Sequence, residues 1–171
     1  MGHDRPGLLR EISACLLDLG CNIEDVVSTV IRGNFALMLV CTAPEEASTE
    51  SIHGRLHGVL GDSADSPHPS MHVDVWEVDE THARGRPNYS LGVIGPDRPG
   101  IIHAVAGFLD QHRIRIADLV SRYTNLDPGV AEFAFTVEIE IPAGVSVYDL
   151  KRELDAFCQK LHVDSNLYEI Q

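Results

Sequence analysis

The 171-residue sequence predicts an α+β protein built from two copies of one βαββαβ module, each an antiparallel sheet covered by helices on one face. Three observations lead there. Shifted on itself by 93 residues, the chain lays GHDRPGLLREISACLLDLGCNIEDVVS (Gly2 to Ser28) over GPDRPGIIHAVAGFLDQHRIRIADLVS (Gly95 to Ser121), with ten of 27 positions identical. Within each copy, helix-spaced apolar stripes alternate with strand-like runs. The length suits two domains of roughly 80 to 90 residues, each able to bury a modest core.

The second copy shows the elements in full. Tyr89 to Ile94 is a short apolar run ending at a Gly-Pro turn, as for a strand. Ile101, Ile102, Val105, Phe108 and Leu109 then recur at the spacing of a helix with one buried face. Ile114 to Tyr123 alternates, with Ile114, Ile116, Asp118 and Val120 read on one side. The turn-rich stretch Asn125 to Gly129 joins it to a second alternating run, Phe133, Phe135, Val137, Ile139 and Ile141, which makes a hairpin. Ser146 and Asp149 form a capping box before a helix carrying Leu150, Leu154, Phe157 and Leu161, and Val163 to Ile170 closes as the last strand. This order is that of the ferredoxin-like split βαβ arrangement, with strand order 4-1-3-2.

The first copy matches it from its helix onward. Leu8, Ile12, Leu16 and Leu19 form the helix stripe, and Ile23 to Ile31 and Phe35 to Thr42 a hairpin around Gly33-Asn34. Ile52, Leu56, Val59 and Leu60 mark a second helix, and Val73 to Val78 the last strand. The expected modules are thus 1–79 and 89–171, joined by a linker over 80–88 that contains Thr81, Gly85 and Pro87. The first module starts directly on its turn, so its central first strand is missing from the sequence. Either about five to eight upstream residues, a usual strand length, or another segment is expected in that slot.

Composition narrows the function classes. The formal charge of −13, from 26 acidic and 13 basic residues, opposes direct binding to nucleic acid. No apolar run is long enough for a membrane span and no secretory signal opens the chain, so a cytoplasmic location is expected. Cys15, Cys21, Cys41 and Cys158 stand in or beside apolar segments without a CxxC pair and read as reduced, mostly buried thiols. Nine histidines include His53 and His57 at i, i+4, a spacing that can share one metal ion, with His68 and His72 close behind. No firmer constellation supports them, so they read as surface histidines and neither a metal nor a cofactor is expected. No nucleophile motif, phosphate loop or dinucleotide fingerprint is present, and the protein is not expected to be an enzyme.

Each copy's first helix is preceded by Asp-Arg-Pro-Gly, at Asp4 to Gly7 and Asp97 to Gly100. Asp4 and Asp97 are placed to cap the helix, Pro6 and Pro99 fix φ near its start, and Gly7 and Gly100 permit close approach of a chain or ligand. Such a motif serves equally as a well-made strand-to-helix turn or, through amides at a helix start, as a seat for a carboxylate.

The G-x-D-R-P-G-[IL]-[IL] turn, followed some fifteen residues later by Asn-Ile or Arg-Ile and Asp inside a βαββαβ unit, resembles the ACT domain, a family of small regulatory modules that bind amino acids or related metabolites. The resemblance covers nearly the whole chain as two tandem modules. The stretch from Gly20 to Val40 is similar to the glycine cleavage system transcriptional repressor family of stand-alone tandem-ACT proteins. The resemblance implies that modules pair side by side, within one chain as a pseudo-dimer or across a homodimer. It also implies that the effector sits at the junction, against the turn before the first helix and the start of the second strand. Carried over, this marks His3, Asp4, Gly7 and Asn22 in the first module, and Asp97, Arg98, Gly100 and Arg115 in the second. Asn22 offers both donor and acceptor to an α-amino acid. Arg115 departs from the family's usual Asn and could favour an acidic ligand, abolish binding, or point elsewhere. Asp25 and Asp118 could receive an ammonium group or stand as solvated face residues. The implied partner is a basic protein such as a DNA-binding transcription factor. The competing reading is an interaction module with no functional ligand site.

Overall fold

The computed structural model of the chain describes residues 1–61, 71–78, 86–127 and 130–170. The chain divides into two units, Met1–Thr81 and His82–Gln171. The first holds β1 (Gly2–His3), α1 (Leu8–Asp18), β2 (Asn22–Ile31), β3 (Asn34–Thr42) and α2 (Thr49–Leu60). The second holds β4 (Tyr89–Pro96), α3 (Ile101–Gln111), β5 (Arg115–Asp127), β6 (Val130–Glu140), α4 (Val147–Lys160) and β7 (Asp164–Glu169).

The second unit has the predicted topology. Its four antiparallel strands lie in the order β5-β6-β4-β7, with β4 pairing β6 on one side and β7 on the other. Leu91 and Val93 of β4, Val105 and Leu109 of α3, Val137 and Ile139 of β6, and Leu150 and Leu154 of α4 make the buried layer between sheet and helices. Each such side chain contributes about 1.5–3 kcal/mol on burial, which is why the stripes read from the sequence coincide with the core. Ile102, read as part of the α3 stripe, is instead exposed. Ser146 accepts a hydrogen bond from the Asp149 amide, half of the predicted capping box.

Three helices end alike. After α1, Gly20 takes φ 74, and the Cys21 and Gly20 amides bond the Leu16 and Leu17 carbonyls. Arg113 (φ 56) after α3 and His162 (φ 50) after α4 repeat that pattern. These are Schellman ends, with the apolar pairs Cys21/Leu16, Ile114/Leu109 and Val163/Cys158 buried beneath each. The packed pair offsets the cost of a non-glycine left-handed residue at Arg113 and His162.

Both modules carry a bulge at the same repeat position, between Ile23 and Asp25 in β2 and between Ile116 and Asp118 in β5. The bulge corrects the alternation read from the sequence. Ile114 and Ile116 face the core, but beyond the extra residue the core-packed side chain is Leu119, while Asp118 and Val120 are exposed. The turn expected over Asn125 to Gly129 falls partly outside the described residues; Asp127 pairs with Val130 across it. The predicted linker lies outside the described residues as far as Gly85. Its last residue, Asn88, belongs to the sheet: its side chain bonds the Ile141 amide and carbonyl, and its own carbonyl accepts from Ile170.

The first unit's sheet has three strands in the order β1-β3-β2, and β1 supplies only the pairs Gly2↔Phe35 and His3↔Asn34. The β2–β3 turn falls on Arg32 (φ 48) and Gly33 (φ 79), one residue before the expected Gly33-Asn34, because a two-residue type I′ turn needs positive φ at both central positions. The helix stripes Leu8, Ile12, Leu16 and Ile52, Leu56, Leu60 are buried, whereas Val59 is exposed. The strand predicted over Val73 to Val78 does not form. In the second module β7 pairs with β4 from Tyr89 to Ile94, of which Ile94 aligns with Met1, whereas 73–78 has no ladder partner among the described residues. His72 exchanges reciprocal backbone bonds with Met1 of 2.7 and 2.8 Å, and Val73 and Val75 pack on the core.

Candidate functional site

The two Asp-Arg-Pro-Gly turns have nearly the same backbone. Gly7 is the N-cap of α1 with φ 93 and ψ −8, and Gly100 the N-cap of α3 with φ 93 and ψ −2. Glycine alone takes that left-handed conformation without strain, which accounts for its place in both motifs. The expectation that Asp4 and Asp97 cap these helices is corrected: neither N-terminus has a side-chain cap, because the glycine itself occupies the cap position. The first-turn amides are consequently left without side-chain acceptors at both helices, an arrangement that favours an anion.

The side chains around the turns differ. In the first module, Arg5 donates from both terminal nitrogens to Glu11, 2.6 Å to Oε1 and 2.5 Å to Oε2. These bonds hold the Glu11 carboxyl below the usual carboxylate range. A Cβ added to Gly7 would stand 3.8 Å from Glu11 Oε1, so this carboxylate lies directly over the turn. The Asp4 amide bonds the Gly33 carbonyl at 2.8 Å, and a Cβ on Gly33 would meet the His3 ring at 3.9 Å; this seats the turn against the β2–β3 hairpin. In the second module, Arg98 donates to the Leu161 carbonyl at the end of α4, and nothing lies within 4 Å of the position a Gly100 Cβ would take.

The structure does not bring Asn22 and Arg115 to the turns of their own modules. Asn22 is exposed at the start of β2, paired with Thr42, while the Gly7 turn lies beside the opposite end of that strand. The ten residues between make a separation of about 30 Å. Arg115 occupies the same position in β5 and donates from Nε to Glu140 at 2.7 Å, an internal carboxylate that would compete with an acidic ligand. Asp25 accepts a bond from the Val26 amide beside the bulge, and Asp118 is exposed at the equivalent place. A single module thus offers two separated half-sites.

Neither of two shallow depressions in the second unit includes a predicted site residue. One of about 470 Å³ is lined by Tyr148, Lys151, Asp155 and Gln159 on the outer side of α4. The other, about 360 Å³, lies on the sheet between Gly92, Ala134, Asn166 and Tyr168. His53 and His57 stack with ring centroids 6.0 Å apart, and His53 Nε2 lies 3.1 Å from the Val73 carbonyl; His68 lies outside the described residues. Among the described residues no group of three His, Cys, Asp or Glu side chains could hold a metal ion, and no helix is long and apolar enough to cross a membrane.

Sequence reasoning missed two polar networks. Glu11 faces Ala104 in the repeat alignment, and that mismatch beside an identical Arg was the available signal. His112 bridges α3 and α4, with Nδ1 2.8 Å from the Phe108 carbonyl and Nε2 3.0 Å from Glu153. Its partner is 41 residues away, so no local pattern pointed to it.

Two such modules in one chain, antiparallel sheets with helices, give an α+β protein with an ACT-like fold. Comparison with known proteins agrees: an ACT-domain family model matches residues 1–58. The chain resembles the glycine cleavage system transcriptional repressors of Escherichia coli (strain K12) and Shigella flexneri. Each is 26% identical to it over 180 residues, covering 98% of this chain and 85% of the relative. Among solved structures, a protein of unknown function from Galdieria sulphuraria superposes with a TM-score of 0.76 at 21% identity, covering 99% of this chain and 94% of that one. A crystal structure named provisionally for the same repressor gives a TM-score of 0.66 at 22% identity, covering 99% and 93%.

Proposed function

We propose that the protein is a non-enzymatic regulator that senses an amino acid or related small metabolite where ACT modules pair, and acts through a protein partner to influence transcription indirectly. The observation that carries this reading is the similarity to a transcriptional repressor along 98% of the chain. The family resemblance, which implies an effector touching both a glycine turn and the start of a second strand, supports it alongside the separation of those two places within one module. A ligand that favours the paired arrangement then biases a two-state element. The charge of −13 suits a basic partner such as a DNA-binding transcription factor and disfavours direct contact with phosphates, and such a role places the protein in the cytoplasm.

The interaction-module reading has one observation in its favour: Val27, Ile31 and Met38 are 59, 65 and 65% exposed on the first sheet, an apolar surface available for association. A thermal-shift screen against the twenty amino acids separates the two. A ligand that binds only the native state raises stability by RT ln(1 + [L]/Kd), about 2.7 kcal/mol at a hundredfold excess over Kd. The sensor reading expects a selective rise, led by glycine or serine and reduced in Asn22→Ala or Asp97→Ala. No shift with any amino acid at millimolar concentration refutes it and leaves the interaction module.

A further inference from the structure

We infer that the outer face of the first module's sheet is a self-complementary surface, on which a second copy of the chain seats the same face with its strands reversed. The ladder and the core contacts define that face. Leu37 and Leu39 of β3 pack on the core, so Met38 and Val40 stand on the other side, with Val27 and Asp25 opposite them in the ladder and Ile31 further along β2. Val73 and Val75 also pack on the core, and His72 and Asp74 meet at 2.8 Å on the side away from it, which Trp76 and Val78 share by alternation. Val27, Ile31, Met38, Val40, Trp76 and Val78 are 39 to 65% exposed. At about 100 Å² each they present roughly 600 Å² of apolar surface, the upper end for the largest patch on a monomer.

The second module shows that the fold does not require such a face. Phe35 and Phe133 hold the same ladder place, opposite Gly2 and Gly95, so Met38 and Val40 correspond to Thr136 and Glu138, and Ile31 aligns with Thr124 in the repeat. Size and charge name the occupant. Two such faces bury about 1,200 Å² between them, the lower limit for a specific interface, which suits a reversible dimer with a Kd of about 1–100 µM. With 26 acidic and 13 basic residues, two copies repel over most of their surface, and an apolar face is where they approach at least cost. The charges along its edge strand lie at the two ends of β2, with Glu24 and Asp25 at the bulge and Arg32 exposed at the hairpin turn. A two-fold axis lying across the strands reverses one β2 over the other and sets each Asp25 towards Arg32 of the partner subunit, whereas a parallel setting stacks like charges. Such a dimer needs no bound metabolite, so it goes beyond the sensor reading and does not depend on it.

The test is sedimentation velocity of the full chain from about 1 µM to 1 mM, where a reversible dimer is expected in the micromolar range. Met38→Thr combined with Val40→Glu installs the residues that the sister sheet carries at those places, and it weakens the dimer at least about a hundredfold by burying an unpaired charge, with circular dichroism reporting the fold. Asp25→Arg alone and Arg32→Asp alone each weaken it about tenfold, and the two together restore it. Both residues are exposed, and aspartate accepts the positive φ at position 32, so this second set keeps the fold and decides the matter if the first set unfolds the module. A native chain that is monomeric at every concentration overturns the inference and leaves the face to another occupant. A dimer that survives both sets of variants overturns it and puts the contact elsewhere. Loss on Met38→Thr with Val40→Glu, without any effect of charge reversal, upholds the face and overturns the reversed setting. The sensor reading is tested separately by the thermal-shift screen and stands or falls by that alone.

Discussion

The His112 bridge makes stability depend on pH in a direction the structure specifies. Nδ1 faces the Phe108 carbonyl and Nε2 faces the Glu153 carboxylate, so both ring nitrogens sit opposite acceptors and the doubly protonated imidazolium satisfies both. The backbone bond to Phe108 first, and then Glu153, raises the His112 pKa above its ordinary 6.5. Because the folded value is raised, the stabilisation is complete below about pH 6.5 and disappears as pH rises through the folded-state pKa. A hydrogen bond to a buried charged group contributes about 1.5–3 kcal/mol. His112 is 26% and Glu153 54% exposed. Solvent screening therefore reduces the pair to about 0.5–1 kcal/mol.

The perturbation is Glu153→Gln, which keeps an acceptor of the same shape and removes the charge. For a module of this size the expected loss is about 2–8 °C in unfolding midpoint at pH 5.5. At pH 8.5 the variant and the native protein should agree. The difference between them is the quantity to track, because 26 acidic residues give both proteins a large common pH dependence. NMR titration of the His112 ring supplies an independent reading, with a pKa above 6.5 that falls in the variant. A difference between the proteins that is constant with pH, or larger at pH 8.5, refutes the argument.

Packing sets two further outcomes. Leu154 is 2% exposed between α4 and the sheet, so Leu154→Ala should cost about 2–5 kcal/mol in chemical denaturation, the range for a cavity at a fully buried leucine. Gly95→Ala and Gly100→Ala should each cost about 1–3 kcal/mol for different reasons. A Cβ at Gly95 would lie 2.7 Å from Val163 Cγ1, so Val163→Ala should recover part of that loss in a double-mutant cycle, whereas at Gly100 the cost is positive φ in open space and Val163→Ala should recover none.

The architecture was legible because its signals are local and came twice. Leu8, Ile12 and Leu16 on α1, with Ile101, Val105 and Leu109 on α3, state the same buried face in two independent stretches, and the capping Ser146 announces α4. What escaped was set by register or by distant partners. The bulges before Asp25 and Asp118 move every later side chain to the other face, and an alternation count makes no allowance for an inserted residue. The strand expected over Val73 to Val78 has sound β-patterning, yet a ladder needs a neighbour and the described residues supply one only at Met1. Asp4 and Asp97 looked like helix caps by residue type, but a left-handed glycine three residues later takes that position first.

For a related reason the motif alone could not rank the two turns. Asp-Arg-Pro-Gly is identical in both copies and fixes the backbone, which is the property that repetition preserves. The charge state of each turn is decided one helical turn further on, by Glu11 in one copy and Ala104 in the other, and at the end of α4 by the Leu161 carbonyl that holds Arg98. Likewise the core positions Phe108 and Ile114 of the second module are Cys15 and Cys21 in the first, where burial pushes the Cys21 thiol up. Fold is shared through the positions where the copies agree. Any division of labour between them has to reside where they differ, and Glu11, whose carboxylate stands over Gly7 where the second copy has Ala104, is one such difference.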